Sequence, residues 1–479
     1  MSFERMVHDP CHGDITLDAL SWDVIDTPQF QRLRELKQLG TAYYVFPGAS
    51  HNRFEHSIGV GHLAGDMIQR LQSTQPELEV SQEEVQAVRI AGLCHDLGHG
   101  PFSHVFDSCV IPAIIGPNAN WSHEDASTMM FHRLVDDNGI DLSTDQTKLV
   151  TSLFDGTPPP NTDRKFLYQI VANKQSSLDV DKFDYIIRDT MNVGLKTSYD
   201  PSRLLKNYRV IDSEICYHVK EAWNIYELFH TRYSLFKRIY THKTCNGIEL
   251  LMKDALVAAN PVLRFDEAIH DPDLYLRMTD SILRDIEYSS DPLLERSRGL
   301  LKRLRTRDIY RCCDEVVVEY GHTQHIKHNL TPAHIVACAG PSAGLVDDDI
   351  RVDVASLHFG MKNQDPVQRL NFFGKHDNST KIPIKSTETS QLVPRAFCET
   401  VVRVYATNPE KVEVVQQAFR KCIEPLLREV GSEASPSRVR TVPAGSSANN
   451  TPRKKRSFDE RESDATQNRQ KMFRRDWTM

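Results

Sequence analysis

Ala91-Gly92-Leu93-Cys94-His95-Asp96-Leu97-Gly98-His99-Gly100-Pro101-Phe102-Ser103-His104 decides how this chain is read. Val85, Val88, Ile90, Ala91 and Leu93 lead into it at helical spacing, and Gly98, Gly100 and Pro101 end the helix. His95 and Asp96 therefore stand at a helix C-terminus beside an irregular loop. Three histidines and one aspartate within ten positions, next to glycines that admit close backbone approach, suit metal ligation and phosphate chemistry. Adjacent helical residues point about 100° apart, so His95 and Asp96 cannot enclose an ion alone. His56, in Asn52-Arg53-Phe54-Glu55-His56-Ser57, and Asp181, in Asp179-Val180-Asp181-Lys182-Phe183-Asp184-Tyr185, are the candidates for the remaining ligands. Two imidazoles and two carboxylates form a mixed N/O shell that suits Fe, Mn, Mg or Zn with exchangeable waters better than a closed thiolate site does. A lone His56 would read as a hydrogen-bonded core histidine.

Composition sets the frame. With 479 residues, 40% of them apolar, the chain can hold one large or two to three ordinary domains. No run of eighteen apolar residues and no charged-then-apolar leader is present, so the expectation is a soluble protein that is neither secreted nor inserted in a membrane. The ten cysteines are scattered, with Cys312-Cys313 the only adjacent pair and no C-x-x-C, which fits buried thiols in a reducing compartment. From Gly431 on there are 11 Lys and Arg against 6 Asp and Glu, leaving 47 against 59 in the first 430 residues. An acidic body that handles polyphosphates must focus positive charge locally.

Residues 5 to 15 read as a short strand and turn. Asp26-Thr27 before Pro28 looks like a helix cap leading into Phe30 to Gln38, whose basic residues would ordinarily be a solvated face. Asn52 to Leu71 is helical, with Arg53 and His56 three apart on one face. Trp121 to Ala126 starts a capped helix containing His123, and Val180 to Val193 places Asp181, Tyr185 and Asp189 roughly along one face. Tyr208 to Ile211 and Ile215 to Val219 suggest a hairpin. A long helix from about Lys220 to Lys243 follows, then helices over Leu250 to Asn260 and Pro272 to Glu287. Beyond Arg307 the pattern predicts strands at Val316 to Val318, Ile335 to Ala337, Val352 to Val354 and Leu370 to Phe373, closed by a helix from Lys411 to Leu427. Residues from Gly431 on lack core-forming side chains and are expected to be disordered. Within them Pro452-Arg453-Lys454-Lys455-Arg456 is a candidate nuclear import signal, with a cytoplasmic location otherwise and a non-specific basic tail as the bland alternative.

Asp26 to Arg34, Tyr43 to Ser57, His95 to His104 and Asp179 to Asp189 together resemble the HD-superfamily deoxynucleoside triphosphate triphosphohydrolases. Within that family the likeness is to the catalytic core of the sterile-alpha-motif and HD-domain members, without a sterile-alpha-motif domain before residue 5, and it spans roughly residues 5 to 425. The resemblance implies a mainly α fold: a helical HD-domain catalytic body over residues 1–305, a smaller α+β lobe over 306–428, and a basic tail over 429–479.

By that resemblance His56, His95, Asp96 and Asp181 hold a divalent metal, with Mg accompanying the nucleotides. His104 with Asp107 supplies the proton for the leaving 5′ oxygen, while His99 and His123 assist at the phosphate. Arg53, Lys182, Tyr185 and Arg232 bind the triphosphate, and Gln38, Leu39, Asp189 and Tyr240 read the deoxyribose. Arg5, Asp26, Gln31, Arg34, Arg307 and Arg311 match a regulatory GTP or dGTP site between subunits. Val45, Phe46, Arg203, Lys220, Asn224, Arg238, His242, Lys243 and Lys375 match an adjoining dNTP site, so that activators stabilise a homo-oligomer, a tetramer in the family. His8, His218 and Thr241 stand where the family usually has asparagine, arginine and glutamine. Two other functions fit the residues: an HD phosphohydrolase acting on monophosphates or cyclic nucleotides, and a single-stranded nucleic-acid binding protein.

Overall fold

β1 (Arg5–Asp9) and β2 (Gly13–Leu17) open the fold as an antiparallel hairpin in the computed structural model, which describes residues 4–116 and 121–431. The candidate import signal and nearly all of the expected disordered tail lie outside the described residues. Thr27 caps the helix that begins at Pro28 by accepting from the Phe30 amide, a contact worth about 1 kcal/mol. The helix stops after Gln31 and tightens into a 3-10 turn, shorter than the pattern through Gln38 predicts.

Two long helices form the centre. α1 (Arg53–Thr74) starts with Glu55 accepting from the Asn52 amide at 2.7 Å, and α2 (Gln82–Cys94) starts with the Ser81/Glu84 capping box. They pack closely because α1 and α2 present glycine where they meet: a Cβ on Gly92 would lie 2.9 Å from the Val60 carbonyl oxygen. Ile58, Leu63, Met67, Ile68 and Leu71 are buried on α1 at helical spacing, each contributing about 1.5–3 kcal/mol of burial. Helices α3 (His123–Asn138), α4 (Thr144–Asp155) and α5 (Val180–Asn192) surround this pair, α5 lying directly on α1.

β3 (Tyr208–Ile211) and β4 (Glu214–His218) form the expected hairpin. The single long helix expected after it is divided: α6 (Ala222–Leu235) runs through a π-turn at Phe236–Tyr240, and α7 (Lys243–Leu263) begins anew with His242 as its N-cap. Pro272 to Glu287 is likewise two short helices, Pro272–Tyr275 and Ile282–Tyr288, separated by a turn that carries Asp280, and α8 (Glu295–Arg305) follows, packed on α7.

In the C-terminal third, β5 (Arg311–Glu319), β6 (Ile350–His358) and β8 (Cys398–Ala406) form an antiparallel sheet with β8 in the middle, covered by α10 (Val412–Glu429). The run Ile335 to Ala337 is not a strand. It belongs to α9 (Pro332–Ala339), because Thr331 caps the His334 amide and Pro332 takes the first helical position. β7 (Asn371–Phe373) joins neither β5 nor β6 but pairs in parallel with β4. The fold is thus mainly α with small sheets, and no described helix is long and apolar enough to cross a membrane.

Candidate active site

α1, α2 and α5 bring His56, His95, Asp96 and Asp181 to one place. Nε2 of His56 lies 3.2 Å from Oδ1 of Asp181 and 3.5 Å from Oδ2 of Asp96, while Nε2 of His95 lies 3.6 Å from Asp181 and 3.4 Å from Asp96. The tautomers follow from the other ring nitrogens. Nδ1 of His95 donates to the Gly92 carbonyl at 2.8 Å, and Nδ1 of His56 donates to Asp184 at 2.7 Å. Both Nε2 atoms therefore face the two carboxylates, and Nε2 of His95 is buried with no hydrogen-bond partner. An orphaned imidazole nitrogen among oxygens at these spacings fits a divalent cation, the shell anticipated from residue types.

Electrostatics point the same way. Burial opposes a charge on His56, but the hydrogen bonds it donates to Asp181 and Asp184 outweigh it and raise its pKa to about 10. Burial likewise opposes the anion of Asp96, yet Arg53, His95 and His99 hold its pKa well below the usual carboxylate range. The site is built to hold positive charge.

The loop after α2 is set by close packing. A Cβ on Gly98 would lie 2.1 Å from the His123 carbonyl oxygen, so only glycine lets this loop meet the start of α3. Phe102 and Ser103 adopt left-handed backbone, with φ of 60° and 55°, and are held by Asp280 accepting from the Phe102 amide and by the Ser103 hydroxyl donating to the Lys37 carbonyl. This turn carries His99, His104 and Asp107 to the edge of the metal-ligand cluster, where they meet His123. The His99 and His123 rings stack at 4.1 Å, and His104 stands 5.2 Å from His99. Nδ1 of His99 is 2.8 Å from Asp107, and Nδ1 of His123 is 3.5 Å from it, so the Asp107 carboxylate faces these two rings rather than bonding to His104. Burial lifts the Asp107 pKa to about 6 and lowers that of His123 to about 4. His104 is exposed, but the protein packed about it and the positive charges of His99 and Arg53 keep it below its ordinary value.

Of the residues matched to a triphosphate, Arg53 is near Asp96 and Lys182 is near Asp181 and Arg232. Arg53 donates to Asp96 and, at 2.8 Å, to the Ser103 hydroxyl. Lys182 pairs with Asp179 at 3.1 Å, and Arg232 donates to the His358 carbonyl at 2.6 Å. Tyr185 is near the charges of Arg232 and Lys182. Tyr240 donates to Asp189, which also faces Nε2 of His51 at 2.6 Å, and the Oε1 of Gln38 is buried without a partner. Leu39 is half-buried against the core.

The positions matched to the family's regulatory sites lie elsewhere. Arg5 pairs with Asp26 at 2.6 Å, Arg34 donates to Gln31 at 2.8 Å, and Arg307 donates to the Tyr44 carbonyl at 2.8 Å, while Arg311 is exposed. Phe46 packs edge-on against His242 at 5.6 Å, with Val45 half-buried beside it in sequence. Arg203 and Asn224 are tied to the buried Glu221, whereas Lys220, Arg238, Lys243 and Lys375 are exposed.

Asp184, His12, His51 and His358 were not anticipated. Asp184 and Arg188, four apart on α5, carried the one legible signal, an i,i+4 ion pair. His358 showed none: it reaches Arg232, Lys362 and Lys182 only through tertiary folding, where burial, then those charges, lower its pKa to about 4.

Residues 53–167 match the HD domain family, a span that includes His56, His95 and Asp96 but not Asp181. The chain is 45% identical over 421 residues to the deoxynucleoside triphosphate triphosphohydrolase SAMHD1 homolog of Dictyostelium discoideum, covering 88% of this chain and 80% of that protein. It is 40% identical over 452 residues to deoxynucleoside triphosphate triphosphohydrolase SAMHD1 of Homo sapiens, covering 85% and 71%, and 39% identical over 447 residues to that of Bos taurus, covering 85% and 76%. With His56, His95, Asp96 and Asp181 gathered as described, the chain belongs to the HD-domain family of SAMHD1-like deoxynucleoside triphosphate triphosphohydrolases.

Proposed function

We propose that this enzyme hydrolyses dNTPs to a deoxynucleoside and inorganic triphosphate, and that GTP or dGTP and a dNTP bound between subunits activate it as a tetramer. The observation that carries the reaction is the gathering of His56, His95, Asp96 and Asp181, with Arg53 near Asp96, Lys182 near Asp181, and His99, His104 and His123 together at the edge. A divalent cation held by the four side chains would supply Lewis acidity at the α-phosphate and to the attacking water.

The chain's own residues do the rest. Water adds to the α-phosphorus, the bond from phosphorus to the 5′ oxygen breaks, and that oxygen must gain a proton because an alkoxide is a poor leaving group. His104 is the donor. Its lowered pKa in the free enzyme rises when the anionic triphosphate enters beside it, so the substrate itself loads the acid. Arg53, Lys182 and Arg232 hold the phosphates, the guanidinium groups by paired N–H contacts. Tyr240, locked by its bond to Asp189, closes the space beside C2′ and disfavours a ribose hydroxyl.

Activation rests on the surface placement of Arg5, Asp26 and Arg34 and on their match to the family's guanine-nucleotide site. Incubation of the chain with each dNTP, with and without GTP, and ion chromatography of the products tests the reading alongside solution mass. Inorganic triphosphate with a GTP-dependent rise in rate and mass supports it; orthophosphate alone overturns it in favour of another HD phosphohydrolase.

A further inference from the structure

The carboxylate of Asp184, wholly buried, joins three elements of the fold. Its Oδ2 accepts from Nδ1 of His56 at 2.7 Å and from Nε of Arg188 at 2.8 Å. Its Oδ1 accepts from Nη2 of Arg188 at 2.8 Å and from Nε2 of His12 at 2.6 Å. His12 belongs to the turn between β1 and β2. That turn is held a second time, because Nη1 of Arg188 donates to Oδ2 of Asp9 at 2.9 Å, and Oδ1 of Asp9 accepts from the amides of Cys11 and His12 at 2.8 and 3.0 Å. Space for the network is made on α1, where a Cβ on Gly59 would fall 2.0 Å from Asp184 Oδ1.

A tie between hairpin and helix would need only the Arg188–Asp9 pair. His12 adds something different: it donates to one oxygen of the carboxylate whose other oxygen takes the His56 proton. Outer partners of this kind fix the rotation and basicity of a ligating imidazole. His12 and the paired N–H groups of Arg188 together fix the rotation of Asp184, and a rotated Asp184 would release His56 from the orientation that turns its Nε2 toward Asp96 and Asp181.

We infer that His12 is a positioning residue for the metal centre, acting through Asp184 on His56, so that the N-terminal hairpin sets the affinity of the cluster for a divalent cation. β1 also carries Arg5, paired with Asp26, so a ligand that orders the hairpin tightens cation binding and is tightened by it in return. That coupling rests on the activator site proposed above; the role of His12 does not.

The test is Mn2+ affinity of the full chain, by competition with a chelating dye, for wild type, His12→Met and His12→Gln. Met and Gln have similar volume, but only Gln has an N–H to offer Asp184. His12→Met should bind Mn2+ about 10- to 100-fold more weakly, His12→Gln should recover most of the loss, and excess Mn2+ should restore kcat with the KM for dNTP unmoved. GTP should raise the Mn2+ affinity of wild type and not of His12→Met. Thermal unfolding without metal checks the fold, and if His12→Met does not fold, His12→Asn, whose shorter amide falls short of Asp184, replaces it. Equal Mn2+ affinity in wild type and the donor-less variant overturns the inference. A wild type that binds no Mn2+ overturns the metal centre of the proposed function instead.

Discussion

Nε2 of His95 lies 3.6 Å from Oδ1 of Asp181, buried and without a hydrogen bond. Two ligands each about 2.1 Å from a common cation stand roughly 3 to 3.5 Å apart, so this pair has the separation of co-ligands. The relation links the C-terminus of α2 to the first turn of α5.

Removal of the cation should therefore act on stability as well as on activity. Chelation is expected to abolish turnover and to lower the melting temperature. At metal concentrations about 100 times Kd the bound ion contributes about 2.7 kcal/mol, which Asp181→Asn should forfeit. Calorimetry of both proteins with and without Mn2+ checks this: the metal-dependent shift should vanish in the variant.

His104→Gln isolates proton donation. Because His104 is no part of the metal cluster, the variant should keep its metal while kcat falls about 10²- to 10⁴-fold. A substrate analogue whose leaving group needs no proton should be turned over by wild type and variant at similar rates. Loss of metal from His104→Gln would assign the residue a different role.

Sugar discrimination should depend on Tyr240. Its hydroxyl is committed to Asp189, so Tyr240→Ala opens the space beside C2′ and also frees Asp189. The ratio of kcat/KM for dATP over ATP should fall, by up to about 10²-fold, the range for rejection of an added hydroxyl by shape alone. Tyr240→Phe, which keeps the ring, should retain most of the ratio.

A pH signature belongs to Glu249 on α7. Burial, then the nearby charge of Asp353, raises its pKa to about 8, above the ordinary 4.5. The folded state thus holds a proton that the unfolded chain gives up, so the stability this group contributes is complete below pH 4.5 and is lost as pH rises through 8. Glu249→Gln should be the more stable protein above pH 8, by up to a few kcal/mol, with the difference shrinking toward pH 5. Urea unfolding across that range checks the sign.

Several elements could be read from local pattern because their causes are local. The stop of α2 at the glycine-rich loop, the Thr27 cap and the Ser122 cap of α3 depend on residues within a few positions of one another. Where local signals compete, pattern misled. Ile335 to Ala337 has strand composition, but Thr331 and Pro332 start a helix there, and the apolar run packs α9 against α10. β8, the central strand of the C-terminal sheet, drew no prediction although Cys398 to Ala406 is almost wholly buried, since burial on both faces removes the alternation that marks a strand.

Sequence alone determined the ligand types, the helix that presents His95 and Asp96, and the family to which the motifs belong. Only the tertiary structure decided which nitrogen of each histidine faces the carboxylates, that Asp107 turns toward His99 and His123, and that His12 reaches Asp184 from a hairpin 172 residues away. The reason is physical: residue type and spacing specify what a side chain can donate or accept, whereas its partner is chosen by long-range packing, here by glycines that let three helices approach within hydrogen-bonding distance of one another's side chains.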